Sequence, residues 1–326
     1  MSLSDVLTSV SRWLTISVSI VFIAFGLFGA AANLIIFSRS RFFKTSIAQY
    51  ILAQSSVDVI NLGFGLMSQM LMNGFQIPVL SFHAIGCGIR NFTLLCCSRS
   101  SLYFKCLAAF DRWASTSRQA SSRLWSTPKR ARILIVINII FWALHSIPNF
   151  ILNDIVLSRG VWQCIATSKT LTNYTTYFAT PVLILLVPLV WLAVFGTGSY
   201  LNIKNLRVLR RSERLEQQLT RMNIIEVLVT VIAFLPYVTQ FIYSTITTGW
   251  EKSAVWAAAD SVVVQIGRMC YYFSNVPAFY IYLCMSKDVR LTFKLLICKL
   301  NKGYRASQVM PLTSGSIGPT TNRMVQ

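Results

Sequence analysis

Apolar residues fall into seven long blocks separated by short polar linkers. The blocks cover residues 13–37, 46–72, 85–110, 131–153, 176–203, 219–246 and 254–284. Each is longer than the ~18 residues a helix needs to cross a hydrocarbon core of roughly 30 Å. Backbone in lipid must satisfy its own hydrogen bonds, so spans of this length are expected to be helices. An odd number of spans puts the two termini on opposite faces. After the last block, Val289, Phe293, Leu296 and Leu300 share one helical face and Lys287, Arg290, Lys294 and Lys299 the other. That pattern predicts an amphipathic helix lying on the membrane surface. From residue 301 the chain is rich in Ser, Thr and Gly, which predicts a disordered tail. The expected fold is an all-α membrane protein: a seven-transmembrane helix bundle with a short amphipathic eighth helix. Its expected parts are an extracellular terminus over 1–12, the bundle over 13–284, the surface helix over 285–300 and the tail over 301–326. No basic segment precedes the first block, which is too long for a signal peptide, so it is expected to remain as a span.

Charge orients this bundle. Hydrophobic residues make up 54% of the chain and charged residues only 12%, against about 25% charged in soluble domains. The net charge is +20. In a soluble protein that excess suggests nucleic acid, but here it sits between the blocks. Arg39, Arg41 and Lys44 follow the first span. Arg112, Arg118, Arg123, Lys129, Arg130 and Arg132 follow the third. Lys204, Arg207, Arg210, Arg211, Arg214 and Arg221 follow the fifth, and Lys287, Arg290, Lys294, Lys299, Lys302 and Arg305 the seventh. The opposite side has Arg12, Arg159, Lys169 and Lys252. Lys and Arg collect on the cytoplasmic side, so the amino terminus is expected outside and the tail inside. His83 and His145 are well separated and no Cys/His spacing fits a metal. Neither a membrane enzyme nor a metal or cofactor site is expected. No internal repeat of the kind transporters show is present.

Short motifs recur at consistent places in the spans. The third ends Phe110-Asp111-Arg112-Trp113, and Cys87 precedes Arg112 near its outer end. The sixth contains Phe234-Leu235-Pro236-Tyr237. The seventh ends Asn275-Val276-Pro277-Ala278-Phe279-Tyr280. Asn33 and Asp58 stand in the first and second. In order, topology and spacing the set resembles the rhodopsin-like family of G-protein-coupled receptors. Departures are Trp113 for the usual Tyr, Phe234 for Trp, Val276 for Asn with Asn275 one place early, and Gly196 where span five usually has Tyr.

The resemblance implies a plasma-membrane receptor that binds an extracellular ligand and activates heterotrimeric G proteins as span six swings outward. It implies a disulfide between Cys87 and Cys164. It implies a switch built from Asp111, Arg112, Glu216, Phe234, Pro236, Pro277 and Tyr280, in which Arg112 and Glu216 clamp spans three and six; plain interfacial snorkelling of Arg112 is the alternative. Pro236 and Pro277 kink their helices. It also implies a polar network of Asn33, Asp58 and the Asn275/Tyr280 region, able to hold Na⁺ at Asp58.

Two charges are unusual for the family. Lys105 lies two helical turns outward of Arg112, and Glu226 faces it from span six. An unpaired buried charge is expensive, so a buried Lys105–Glu226 ion pair is expected, with Lys105–Asp58 as its rival. Ligand contacts are expected from Arg90, Leu94, Ser98, Arg99, Tyr237, Gln240 and Phe241, with Asp260 and Arg268 nearby. Leu94 replaces the aspartate of amine receptors, and no Lys occurs in span seven for retinal. Arg90 and Arg99 have two open readings: binding an acidic ligand, or pairing with Asp260 or backbone carbonyls. A peptide is preferred over a small molecule, because the outer loop after residue 153 is long. Asn173 begins a glycosylation sequon, and Cys298 is a candidate for palmitoylation. The alternatives are a small membrane transporter and a receptor-like protein that does not signal.

Overall fold

A computed structural model describes residues 2–77, 84–158, 161–206, 214–247 and 249–308. Helix α1 (Leu3–Phe37) opens with a capping box: the Ser2 side chain accepts from the Asp5 N–H, and Asp5 returns to the Ser2 N–H. The segment expected as a free extracellular terminus therefore forms the outer turns of α1. Arg12 fixes them by donating from Nε to the Gly74 carbonyl at 2.6 Å. Helix α2 is Ser46–Gly74, with wide π turns over Asn61–Leu66 and Met70–Gly74. Helix α3 is Ala84–Thr116. Helix α4 (Pro128–Ile151) starts on a Thr127 cap with Pro128 as its first residue, where a missing N–H does no harm.

Between α4 and the next helix the chain forms a hairpin, β1 (Asn153–Ser158) against β2 (Val161–Ala166), antiparallel, with Ile155 opposite Cys164. The sequence reading has only a loop there. The hairpin is held at the outer end of the bundle by a Cys87–Cys164 disulfide, Cα–Cα 5.7 Å. Helix α5 follows as Lys169–Lys204, beginning earlier than expected because Ser168 caps it. Helix α6 is Arg214–Ile246 and α7 is Ala254–Phe273. A short break then leads into α8 (Ala278–Met285), so the seventh span is two helices.

The surface helix, α9, runs Lys287–Gln308. Residues 301–308 are thus helical, which corrects the tail boundary expected at 301. The sequence explains it: no proline interrupts the run until Pro311. Val289 is buried and Phe293 packs on Phe279, ring centroids 5.4 Å apart, while Lys287, Arg290 and Lys294 stay exposed. Arg41 pairs with Asp288 at 2.9 Å, tying α9 to the loop after α1.

The helices close into a ring around α3, which packs on α2, α4, α5 and α6; α1 packs on α2 and α7, and α6 on α7 and α8. The outward face of α4 carries Ile133, Val136, Ile137, Ile140, Leu144, Ile147 and Ile151, all exposed. Spaced by three and four, they form an apolar stripe suited to lipid. The interior is the more polar side. Five helices are long and apolar enough to cross a membrane by composition alone. Helix α3 is more polar because it carries Arg90, Arg99, Lys105, Asp111 and Arg112, all buried, and α7 because it carries Asp260 and Arg268. Together the helices make the expected seven-helix bundle.

One close approach depends on glycine. A Cβ on Gly88 of α3 would lie 2.6 Å from the Phe150 carbonyl oxygen of α4, too near for any side chain. Both partners are backbone of long helices and cannot yield cheaply. Gly88→Ala is expected to cost about 1–3 kcal/mol, read as a lowered melting temperature in detergent. An unchanged melting temperature would show that the α3–α4 contact is looser than described.

Candidate functional site

Three polar layers stack along the inner surface of α3. Near the carboxyl-terminal end of α3, Arg112 is 1% exposed and donates from Nε and Nη2 to Asp111 Oδ2, at 3.1 and 2.5 Å. Ser46, at the start of α2, donates to the same carboxylate oxygen at 2.9 Å and accepts from Arg112 at 3.2 Å. Ser126, just before α4, meets Ser46 at 3.0 Å. Asp111 and Arg112 thus join α3 to α2 and to the following loop. Sequence reasoning missed both serines; the only signal was that each flanks a helix start near Arg112 in the topology. Glu216 lies in α6, but its side chain is outside the described residues, so the expected clamp to Arg112 is not described.

The middle layer holds the unusual charges. Lys105 is 1% exposed, and Asp58 and Glu226 are each 3% exposed. The Lys105 ammonium donates to the Ser274 carbonyl at 2.7 Å, to Asn275 Oδ1 at 2.8 Å and to Ser274 Oγ at 3.3 Å. Ser101 donates to Asp58 Oδ1 at 2.6 Å and lies 3.5 Å from Asn275 Oδ1. Glu226 accepts from Gln54 Nε2 at 2.9 Å and from the Tyr282 hydroxyl. Among the described residues neither Glu226 nor Asp58 forms a direct ion pair with Lys105. The direct Lys105–Glu226 bridge is therefore corrected: the ammonium goes to the break between α7 and α8, whose freed carbonyl is a nearby acceptor. The two carboxylates still lie within electrostatic reach of it.

That break also changes which tyrosine turns inward. Tyr280 sends its hydroxyl to the Phe25 carbonyl of α1 at 3.1 Å, away from the network the resemblance implied. Tyr282, two residues or about 200° of helix later, takes the interior place on Glu226. Asn33 is buried, but among the described residues its Oδ1 has no hydrogen-bond partner, and neither Oδ1 nor Nδ2 of Asn61 has one. Asn275 and Asp58 are linked through Ser101; Asn33 is not joined to them by Oδ1.

The fit of Na⁺ at Asp58 can be judged on these donors. Asp58 Oδ1 and Asn275 Oδ1 already take Ser101 and Lys105. A second cation would compete with a buried ammonium for the same oxygens and be repelled by it. The residues do not fit a sodium ion.

Aromatic rings floor the outer layer. Phe234 is buried, with its centroid 5.2 Å from Tyr271 and 6.2 Å from Tyr237. Pro236 lies inside α6, and a Cβ on Gly267 of α7 would come 3.4 Å from its carbonyl oxygen, so α7 runs close beside it. Pro277 sits at the other break, immediately before α8. Leu94 packs against α2, within 2.5 Å of where a Gly65 Cβ would stand. Ser98 donates back to the Leu94 carbonyl at 2.6 Å, and its own carbonyl accepts from Tyr271 at 3.3 Å. Gln240 is buried beside Gly267, and Phe241 packs with Phe234, Ile184 and Leu185. Asp260 is taken by Lys252 at 2.5 Å and Tyr243 at 2.9 Å, so it does not pair with Arg90 or Arg99. Trp142, His145 and Tyr271 also belong to this layer. Trp142 and His145, three apart in α4, were the readable signal for it.

Asn173 is exposed, in the first turns of α5 rather than in a loop, and Cys298 is exposed on α9.

Comparison with known proteins agrees in one direction. The sequence model described as 7 transmembrane receptor (rhodopsin family) matches residues 29–278, from within α1 to the start of α8. A Caenorhabditis elegans protein, neuromedin U receptor homolog nmur-2, is 21% identical over 303 residues, covering 82% of this chain and 75% of its own.

The middle layer makes a stability prediction. Lys105→Met leaves two buried carboxylates without their cation and is expected to cost about 3–5 kcal/mol, seen as a lower melting temperature in detergent. Adding Asp58→Asn to Lys105→Met should restore part of that loss. Exchanging potassium for sodium should leave the parent unchanged. Simple addition of the two single losses, or a sodium-dependent parent, would overturn this account of the network.

Proposed function

This chain belongs to the rhodopsin family of seven-transmembrane receptors, and we propose that it binds an extracellular ligand in the outer half of the bundle and activates heterotrimeric G proteins by releasing α6. The observation that carries the proposal is the way α6 is tied down. Buried Glu226 takes hydrogen bonds from Gln54 of α2 and Tyr282 of α8. One turn from the cytoplasmic end of α6, Gln218 accepts from Ser286, between α8 and α9, at 2.8 Å. These contacts hold α6 inward and define a closed state that a ligand can disfavour. The aromatic group of Phe234, Tyr237 and Tyr271 beside Pro236 joins the outer layer to the same helix.

The receptor sits in the plasma membrane with its amino terminus outside, as the basic inner linkers favour. Asp111, held by Ser46, keeps Arg112 folded against α3, and Glu216 adds the clamp to α6. A peptide is the preferred ligand class: the disulfide-anchored hairpin gives the outer mouth an extended polar edge of backbone, and likeness to a neuromedin U receptor homologue supports a messenger from outside the cell. Exposed Asn173 takes glycan on that side and exposed Cys298 takes palmitate on the other.

Nucleotide exchange on a panel of G proteins in membranes tests the proposal, with surface expression matched. Glu226→Ala and Asp111→Asn are expected to raise basal exchange on one member roughly fivefold, the shift given by about 1 kcal/mol of lost restraint. Arg112→Ala is expected to abolish it. If no variant moves exchange on any member, the reading gives way to a receptor-like protein that does not signal, or to transport.

A further inference from the structure

Among the described residues, Arg90, Arg99 and Arg268 face the outer half of the bundle and none of them pairs with a carboxylate. Arg99 is 3% exposed. It meets His145 Nδ1 from Nη1 at 2.7 Å and lies 5.6 Å from the centroid of the Trp142 ring. Its Nε has no hydrogen-bond partner among the described residues. Arginine can only donate, so His145 Nδ1 is the acceptor, and the proton sits on Nε2, 2.9 Å from the Tyr174 hydroxyl. The histidine is therefore the neutral tautomer and offers no counter-charge. Arg90 donates to Ser68 at 3.1 Å and Gln69 at 2.8 Å, both neutral. Among the described residues Arg268 reaches only Gln265 Oε1, at 3.4 Å. Asp260, the acid of α7, is already paired with Lys252.

A buried cation with only neutral neighbours is unfavourable unless something else supplies the negative charge. Arg99 is the least satisfied of the three and the deepest. One of its amino groups is used on His145, which leaves the Nε edge, the edge that grips a carboxylate or phosphate in two parallel hydrogen bonds. Tyr237 lies within electrostatic reach of both Arg99 and Arg268, and Arg268 is also within reach of Arg90, so the three cations share one outer region beside Pro236.

We propose that Arg99 binds an oxyanion on the extracellular ligand, whose apolar part lies on Trp142, Tyr237 and Tyr271. The proposal rests on the reading of the outer half as the ligand site and names the ligand's chemistry: an organic acid or phosphate ester, or a peptide presenting such a group. Arg90, satisfied by α2, serves α2–α3 packing.

Thermal unfolding of the full chain in lipid nanodiscs tests this without a G protein. The probes are 4-phenylbutyrate, 4-phenylbutyramide and phenyl phosphate at equal ionic strength. One acid or both should raise the parent's melting temperature saturably, by roughly 3 °C at concentrations well above its Kd, and the amide should not. Response to the carboxylate alone or the phosphate alone identifies the group. Arg99→Met should lose the response yet melt higher than the parent without probe, because an unanswered buried charge is gone. Arg99→Lys, which keeps the charge and loses the two-pronged grip, should respond with roughly tenfold weaker affinity; it serves as the test if the methionine variant does not fold. Equal response to acid and amide, no response to either acid, or an unaltered response in the Arg99 variants overturns the proposal. Loss of the acid response with exchange intact removes this assignment and leaves coupling standing. An acid response with silent exchange does the reverse.

Discussion

A charge inside a lipid-immersed bundle has no solvent to turn to, and the internal architecture here follows from where each buried charge finds its partners. Lys105 is the centre of that arrangement. Its ammonium takes a backbone carbonyl and a side-chain oxygen at the break between α7 and α8, so one feature stabilises the other. A continuous seventh helix would have kept the Ser274 carbonyl for its own ladder. A neutral residue at 105 would have left that carbonyl facing two buried acids. The break, the lysine and the acids are one unit, and α2, α3, α6 and α8 are held together through it.

The inner and middle layers answer their charges internally, whereas the outer one does not. Arg112 has Asp111 beside it, and Lys105 has Asp58 and Glu226 within electrostatic reach. The outer arginines have serine, glutamine and histidine. This polarity along one helix places the uncompensated charge near the aromatic group that touches α6.

The seven spans and the surface helix were legible because lipid imposes a length on a span and a two-faced pattern on a helix at its surface. The Cys87–Cys164 link followed from the resemblance. Partner choice within the bundle was harder to read. Spacing along α3 placed Lys105 opposite Glu226, but it could not show that unwinding near Asn275 frees a nearer acceptor. The same unwinding turned Tyr282 inward in place of Tyr280. Ser46 and Ser126 look like ordinary linker residues until folding brings them to Asp111. Asn33 was grouped with Asp58 by analogy, and its side-chain oxygen makes no bond there.

The polar character of α3 bears on how the protein is made. Near the centre of a lone helix, Arg99 and Lys105 would each oppose entry into lipid by about 2.5–3.5 kcal/mol. The oxygens that accept from Lys105 come from the break between α7 and α8, which is synthesised long after α3. At the translocation channel α3 must therefore be retained beside α2 and α4, or held by a membrane chaperone, until the end of the chain arrives. Maturation of this protein is then a late event, governed by the emergence of its final span.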